Sequence, residues 1–367
     1  MEAKLKGVNA LSLIVLAMIG VRMLTLPRDI VEYADNDAWM SVLLGSILTF
    51  ITGYSFYWLG VKYKGLNISQ IMEAVLGKFI GKIIQIFISM YIILSVGLSL
   101  RAFSESINIF LLDKTPRSIV TIIILTACVY CLAMGLKTIS IMMDILLPGI
   151  LFFILLLLFL SVSNIDKANL LPVLHKGPMP VFKGFIEIIH PFLGLGIVGY
   201  IMPCLKEPRK EKKWIFISIS VVTLIHLSIV TMCIMVFGSN EIKQLVYPTI
   251  ILSKSIQFQA QIFERAESLF MTTWIPISFS TIVIYYYASC QNLNALFNIK
   301  KYKLMIYLQI PIILIIAYFP RNVVEVYHHL EFVNYLAISL SIIVVILPII
   351  SLIRKDKNKN SYEKNKY

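Results

Sequence analysis

Several ionisable residues stand inside long apolar stretches, where a charge needs a reason. Arg22 follows Gly20-Val21 in the run Ile19-Gly20-Val21-Arg22-Met23-Leu24-Thr25-Leu26-Pro27. A guanidinium deep in an apolar phase costs about 2.5 kcal/mol or more, so it must face a partner. That partner can be a ligand carboxylate or the negative end of a half-helix, where a fixed cation would replace a coupling ion. It can also be a structural acid, with Glu187, Glu105 or Asp144 as candidates. Glu187 and His190 are three apart and share a helix face just before Pro191. They suit either a proton relay or a satisfied buried pair. Arg101 and Glu105, four apart, most simply pair with each other. Thr281 and Tyr285, also four apart, can turn hydroxyls toward a cavity or bond a neighbouring helix. Val96 can supply an apolar wall, Asp144 suits an interface, and His226 reads as a hydrogen-bonded core histidine.

The elements that must position these residues follow from composition. Of 367 residues, 58% are hydrophobic and 14% charged, and mean hydropathy is +0.83. A soluble domain carries roughly 45–50% apolar and about 25% charged residues, so an ordinary soluble enzyme is excluded, as is disorder. Ten membrane spans are predicted near 8–27, 38–60, 80–108, 117–135, 138–161, 181–204, 214–237, 262–290, 303–319 and 332–353. The segment Pro248-Thr249-Ile250-Ile251-Leu252 is too short to span and reads as an interfacial helix. Acids in Glu264-Arg265-Ala266-Glu267 suit a charged helix start. Residues 1–353 form one polytopic membrane domain, and the basic tail 354–367 reads as disordered.

The net charge is +13. The cations lie in short loops and the tail, not on an amphipathic face, which excludes nucleic acid as a partner and points to membrane lipid. About 21 of the 33 Lys and Arg fall at the N-terminus, the even-to-odd loops and the tail, which sets both termini in the cytoplasm. The acidic stretch Asp29, Glu32, Asp35, Asp37 then lies outside. Cys128 and Cys131 form C-x-x-C, but two thiols with no second ligand pair do not complete a tetrahedral metal site. No Gly-x-Ser-x-Gly, phosphate loop or His/Asp metal set is present, so neither an enzyme nor a cofactor is expected.

Helix breakers mark the first and sixth spans. Gly-x6-Pro occurs at Gly20–Pro27 and again at Gly196–Pro203, within Leu193-Gly194-Leu195-Gly196-Ile197 and the residues that follow. Spans five apart enter the membrane from opposite faces, the pattern of a five-plus-five inverted repeat, with repeat one about 8–161 and repeat two about 181–353. A mid-membrane break frees backbone amides and carbonyls, which is tolerable only against protein or a wet cavity. Half-helix N-termini then suit a ligand carboxylate, and freed carbonyls suit its ammonium. The plainer alternative is that these residues merely kink or pack helices. Candidate ligand-binding residues from these breaks are Gly20, Val21, Arg22, His190, Gly194 and Gly196.

The chain resembles the spore germination receptor B-subunit family, a branch of the amino acid–polyamine–organocation transporter superfamily. Met18-Ile19-Gly20-Val21 through Leu26-Pro27-Arg28-Asp29, Leu100-Arg101-Ala102-Phe103 with Thr115-Pro116, and Tyr247-Pro248-Thr249 with Phe263-Glu264-Arg265 and Trp274 carry the resemblance. It implies an all-α LeuT-like fold in the spore inner membrane. It implies a subunit that senses a nutrient germinant, commonly an amino acid, beside an A subunit and a lipoprotein C subunit. The ligand pocket it implies lies among spans one, three, six and eight, at Gly20, Val96, Leu195, Thr281 and Tyr285 here. The superfamily often has a second glycine where this chain has Arg22, which either makes the site independent of a coupling ion or tunes it toward a carboxylate. A proton- or sodium-coupled amino acid transporter is the alternative function.

Overall fold

The computed structural model describes residues 4–255, 266–299 and 301–353. Phe263, Glu264 and Arg265 and the basic tail from Arg354 onward lie outside the described residues. The described chain is helical throughout, and its one β-bridge pairs Leu5 with Leu205. The helices are α1 (Gly7–Ile19), α2 (Leu26–Ala34), α3 (Ala38–Lys62), α4 (Ile68–Leu76), α5 (Lys78–Phe110), α6 (Arg117–Ala133) and α7 (Leu136–Ser161). After them come α8 (Met179–Phe192), α9 (Val198–Ile201), α10 (Lys212–Gln244), α11 (Pro248–Ser255), α12 (Ala266–Phe297), α13 (Tyr302–Tyr318) and α14 (Val323–Ile353). Among the described residues, six helical stretches are long and apolar enough to cross a bilayer, and α1, α6 and α13 are shorter apolar helices.

Large apolar side chains cover the outside. On α7 alone, Ile145, Phe152, Leu155 and Phe159 are each more than 60% exposed. Water would not tolerate such a surface, whereas lipid tails match it. The interior holds the polar minority, and α1 lies at its centre. Every residue from Leu13 to Ile19 is buried, enclosed by α7, α10, α12 and the 3-10 segment Leu193–Ile197. Gly194 makes that approach possible: a Cβ there would fall 2.4 Å from the Ala17 carbonyl oxygen.

Two sets of polar ties define the two ends of the bundle. At the N-terminal face, Leu5 N donates to Cys204 O at 2.8 Å, Asn9 Nδ2 donates to Asp144, and Lys62 Nζ donates to Ser351 O at 2.7 Å. At the opposite face, Asp37 accepts from Leu174 N with both oxygens at 3.0 Å, and Asp166 N donates to Met235 O at 2.9 Å. Asp35 lies there too and is clamped by Lys176 and Lys243.

The breaks differ from the sequence expectation in detail. The first falls at Gly20, whose φ of 68° and ψ of 172° suit glycine alone. Pro27 does not break anything. It sits in the first turn of α2, where its missing N–H is one of the unpaired donors anyway, and the helix runs on to Ala34. In the second break the tightened 3-10 turns span Leu193–Ile197, and Gly196 has no positive φ. Helix α4 was not expected, since its nine residues lie between two long apolar runs. Its Asn67 side chain accepts from Gln70 N at 3.0 Å, and Gln70 Oε1 accepts from Asn67 N at 3.0 Å, a reciprocal cap. Helix α10 continues to Gln244 across a kink at Gly238, and α14 begins at Val323, well before 332. Helix α11 forms where the interfacial helix was expected.

The Asp35 clamp gives a test of how the outer loops are held. Burial by itself would raise the Asp35 carboxyl, but the hydrogen bonds and charges of Lys176 and Lys243 outweigh it and hold its pKa below the ordinary value. A carboxyl depressed in the folded state stabilises fully above its unfolded pKa of about 3.9 and loses that contribution as pH falls through the folded value. Asp35→Asn therefore lowers the thermal midpoint in detergent at neutral pH by the equivalent of about 1 kcal/mol or less. The gap between variant and parent narrows as the pH is lowered through the acid range, as a melting series against pH will record.

Candidate functional site

Breaking a helix inside an apolar bundle leaves carbonyls without amide partners. Here neighbouring hydroxyls take them. Thr281 Oγ1 donates to Leu16 O at 2.7 Å, and Thr249 Oγ1 donates to Met23 O at 2.8 Å. Thr25 N donates to Arg22 O at 3.0 Å. Helices α12 and α11 thus hold the two sides of the break in place.

Beside the break lies a small central cavity of about 20 Å³. Gly20, Val21 and Arg22 from the break line it, with Ser95, Val96 and Ser99 from α5. His190 and Pro191 come from α8, and Thr281, Ile282 and Tyr285 from α12. At roughly 10–15 Å³ per water, it holds about one. His190 reaches Ser95 Oγ with Nε2 at 3.4 Å, and its ring meets Tyr91 edge-on at 5.8 Å. Its Nδ1 is buried with no hydrogen-bond partner among the described residues.

Arg22 forms one wall of this cavity and also the floor of a much larger vestibule of about 670 Å³ that opens at the opposite face. Its Nη1 donates to Asn334 Oδ1 at 2.5 Å. Its Nη2 donates to Asp29 Oδ2 at 2.9 Å and to Glu187 Oε2 at 3.3 Å. Asn334 Nδ2 closes the ring by donating to Glu187 Oε2 at 2.6 Å, and Thr25 Oγ1 steadies Asp29 at 3.0 Å. One guanidinium thus joins α2, α8 and α14 and faces two carboxylates. Of the three structural acids considered for Arg22, Glu187 is its partner. Glu105 instead bonds Arg101 and Arg117, at 3.1 and 2.7 Å, and Asp144 bonds Asn9.

Seven of the sequence-derived candidates therefore surround one space: Gly20, Val21, Arg22, Val96, His190, Thr281 and Tyr285. Three do not. Leu195 is turned away toward α3 and α10, where its Cδ2 lies 3.3 Å from the position a Cβ on Gly53 would occupy. A 3-10 turn changes the residue rotation from that of an α-helix, and position alone could not reveal it. Gly194 and Gly196 line a separate apolar cavity. Arg101 and Glu105 stand apart from the site near the start of α6, where Arg101 Nη1 also reaches Ala317 O at 3.4 Å. The hydroxyl of Thr281 is occupied by Leu16 O. His226 is fully buried against Phe192, with ring centroids 5.5 Å apart. Asp29 and Asn334 were missed as site residues. Asp29 reads as part of an acidic loop because the sequence does not show that α2 folds back over Arg22. Asn334 carried a usable signal: an isolated amide within the apolar run of the last helix, three residues after Glu331.

A family model described as spore germination protein matches residues 4–326, and the chain belongs to that family of permease-like membrane proteins. Spore germination protein YndE of Bacillus subtilis (strain 168) is 29% identical over 97% of this chain and 99% of its own length. Spore germination protein A2 of the same organism is 27% identical over 94% of each. GerLB of Bacillus cereus is 25% identical over 83% of this chain and 82% of its own. Among solved structures, Mhp1, a nucleobase-cation-symport-1 family transporter in a closed conformation with bromovinylhydantoin bound, superposes with a TM-score of 0.64. It is 14% identical, and the match covers 94% of this chain and 78% of that one. The fold is thus shared with Mhp1, and the family is that of spore germination proteins.

The charge ring predicts an asymmetry between its members. Arg22→Met leaves Asp29 and Glu187 facing each other without a cation and destabilises the protein by about 3–5 kcal/mol. Glu187→Gln keeps an acceptor oxygen for Arg22 and Asn334 and leaves one acid for one guanidinium, at a cost of about 1 kcal/mol or less. Thermal midpoints in the same detergent compare them directly.

Proposed function

We propose that the protein is the nutrient-sensing B subunit of a spore germination receptor. In this reading the chain makes ten crossings in a five-plus-five inverted repeat, with both termini cytoplasmic, in the inner membrane of a spore. Its ligand is a small zwitterion, an amino acid, and its partners are the A subunit and the C lipoprotein. Family membership supports the germination role. The observation that carries the site is Arg22, which borders both the vestibule and the central cavity.

The mechanism follows from charge and volume. A cavity for one water cannot admit an amino acid while the Arg22 ring is closed. The ring holds one cation and two anions, and a zwitterion brings one of each. Its carboxylate takes the guanidinium, and its ammonium takes a carboxylate that Arg22 releases or a backbone carbonyl at the Gly20 break. The exchange conserves charge and opens the link between α2, α8 and α14. Ligand energy is thereby converted into a shift between two arrangements of the broken helix, which partner subunits can read. No covalent step is involved, so the activity is recognition and not catalysis.

A transporter coupled to protons or sodium is the second reading, favoured by the likeness of the fold to Mhp1. Proteoliposomes separate the two. With a panel of labelled amino acids, saturable binding without accumulation is expected under imposed proton and sodium gradients. Arg22→Gly is expected to weaken binding by tenfold or more, the loss of one charge-assisted hydrogen-bonding partner. Gradient-driven accumulation would make transport the primary activity, and binding untouched by Arg22→Gly would remove Arg22 from recognition.

A further inference from the structure

A second cavity, of about 60 Å³, lies directly below the central one toward the N-terminal face. Its walls are almost wholly carbon, from Phe56, Met72, Ile92, Ile284 and Val344 among others. Tyr285 lines both cavities, and Tyr91, on the wall of the lower one, packs against both Tyr285 and His190. The two spaces are thus adjacent across a partition of aromatic side chains. Beside it, next to Ile68, Ile88 and Ala288 of its wall, lies a buried polar cluster. There Ser69 Oγ donates to Asn292 Oδ1 at 2.6 Å, and Asn292 Nδ2 donates to Ser89 Oγ at 2.7 Å.

We infer that this lower cavity receives the apolar side chain of the ligand whose charged head occupies the central cavity, and that the receptor selects amino acids of leucine size over alanine. The inference rests on the amino acid reading above and adds the ligand class. Carbon-lined cavities stay dry and accept apolar guests. By the measure of about 10–15 Å³ per water-sized group, the lower cavity has room for about four, as many as the carbons of an isobutyl side chain. The charged head is disfavoured there, because apart from Tyr91, Tyr200 and Tyr285 the lining side chains are hydrocarbon or thioether and none is charged. The guanidinium and the imidazole are above: Arg22 and His190, with Ser95, on one side of Tyr285, mostly aliphatic and aromatic carbon on the other. A ligand with a zwitterionic end and an aliphatic end matches that division.

Gly196 permits a clean test. It lines the lower cavity, has no positive φ, and a Cβ built on it meets nothing within 4 Å. Gly196→Ala and Gly196→Leu therefore fill the cavity stepwise without a backbone clash. Equilibrium binding of labelled alanine and leucine to the purified full-length protein is measured for wild type and both variants. Wild type is expected to bind leucine at least tenfold tighter than alanine, since three further carbons correspond to roughly fifty-fold at full burial. Gly196→Leu is expected to abolish that preference, and Gly196→Ala to reduce it in part. Thermal midpoints in the same detergent show that the variants are folded. Equal binding of the two amino acids by wild type, or a leucine preference that survives Gly196→Leu, overturns the inference and leaves the amino acid reading intact. Absence of binding for both amino acids to wild type overturns both.

Discussion

The break in the first membrane helix is the constraint from which the rest of the interior follows. Ending α1 at Gly20 strands carbonyls in a region with room for about one water. Every one left bare would cost several kcal/mol in such an environment. Thr281 on α12 and Thr249 on α11 supply the missing donors, so two distant helices are fixed by the needs of a third. The same break brings Arg22 into the interior, and a guanidinium there must be neutralised. Asp29, Glu187 and Asn334 do so from three helices. The polar groups around Gly20 are thus a response to one interrupted helix.

Such an arrangement is stable yet conditional. A helix with all its hydrogen bonds internal has one low-energy form. A broken helix depends on partners from outside its own segment, and a competing ligand can replace those partners. The packing confines where exchange can occur. Ala17 and Gly194 meet backbone to backbone, which locks the middle of α1 against the second broken segment. The Arg22 ring, by contrast, consists only of side-chain contacts. The rigid and exchangeable parts are therefore adjacent, with the central cavity between them, an economical layout for turning binding into movement.

Much of the site was legible because intramembrane polar residues are rare and costly. Arg22, Glu187 and His190 stood out on that ground alone, and Gly20 beside Arg22 marked the break. Val96, Thr281 and Tyr285 were candidates from their place and spacing, and the resemblance to a known family pointed to the same three. Leu195 failed because a 3-10 turn rotates successive side chains differently from an α-helix, and sequence pattern does not distinguish the two over five residues. Gly196 lies within the 3-10 turns of the second break, and its bareness also leaves space in an apolar cavity. Asp29 was read as solvated, since nothing in its neighbours reveals that α2 continues past Pro27 and folds over the guanidinium.

Composition, spacing and the placing of helix breakers pointed by themselves to a membrane protein of many apolar helices, with breaks near Gly20 and Gly196 and a buried arginine that needs a counter-charge. Those properties are one-dimensional: hydropathy, spacing and the cost of a charge away from water can all be read along a chain. The partner of that arginine, the direction each hydroxyl faces, and the division of the interior into a polar chamber and a carbon-lined one were decided only by the tertiary structure. Those depend on which helices become neighbours, and residues as far apart as Arg22 and Asn334 meet only because packing around α1 leaves them no other place.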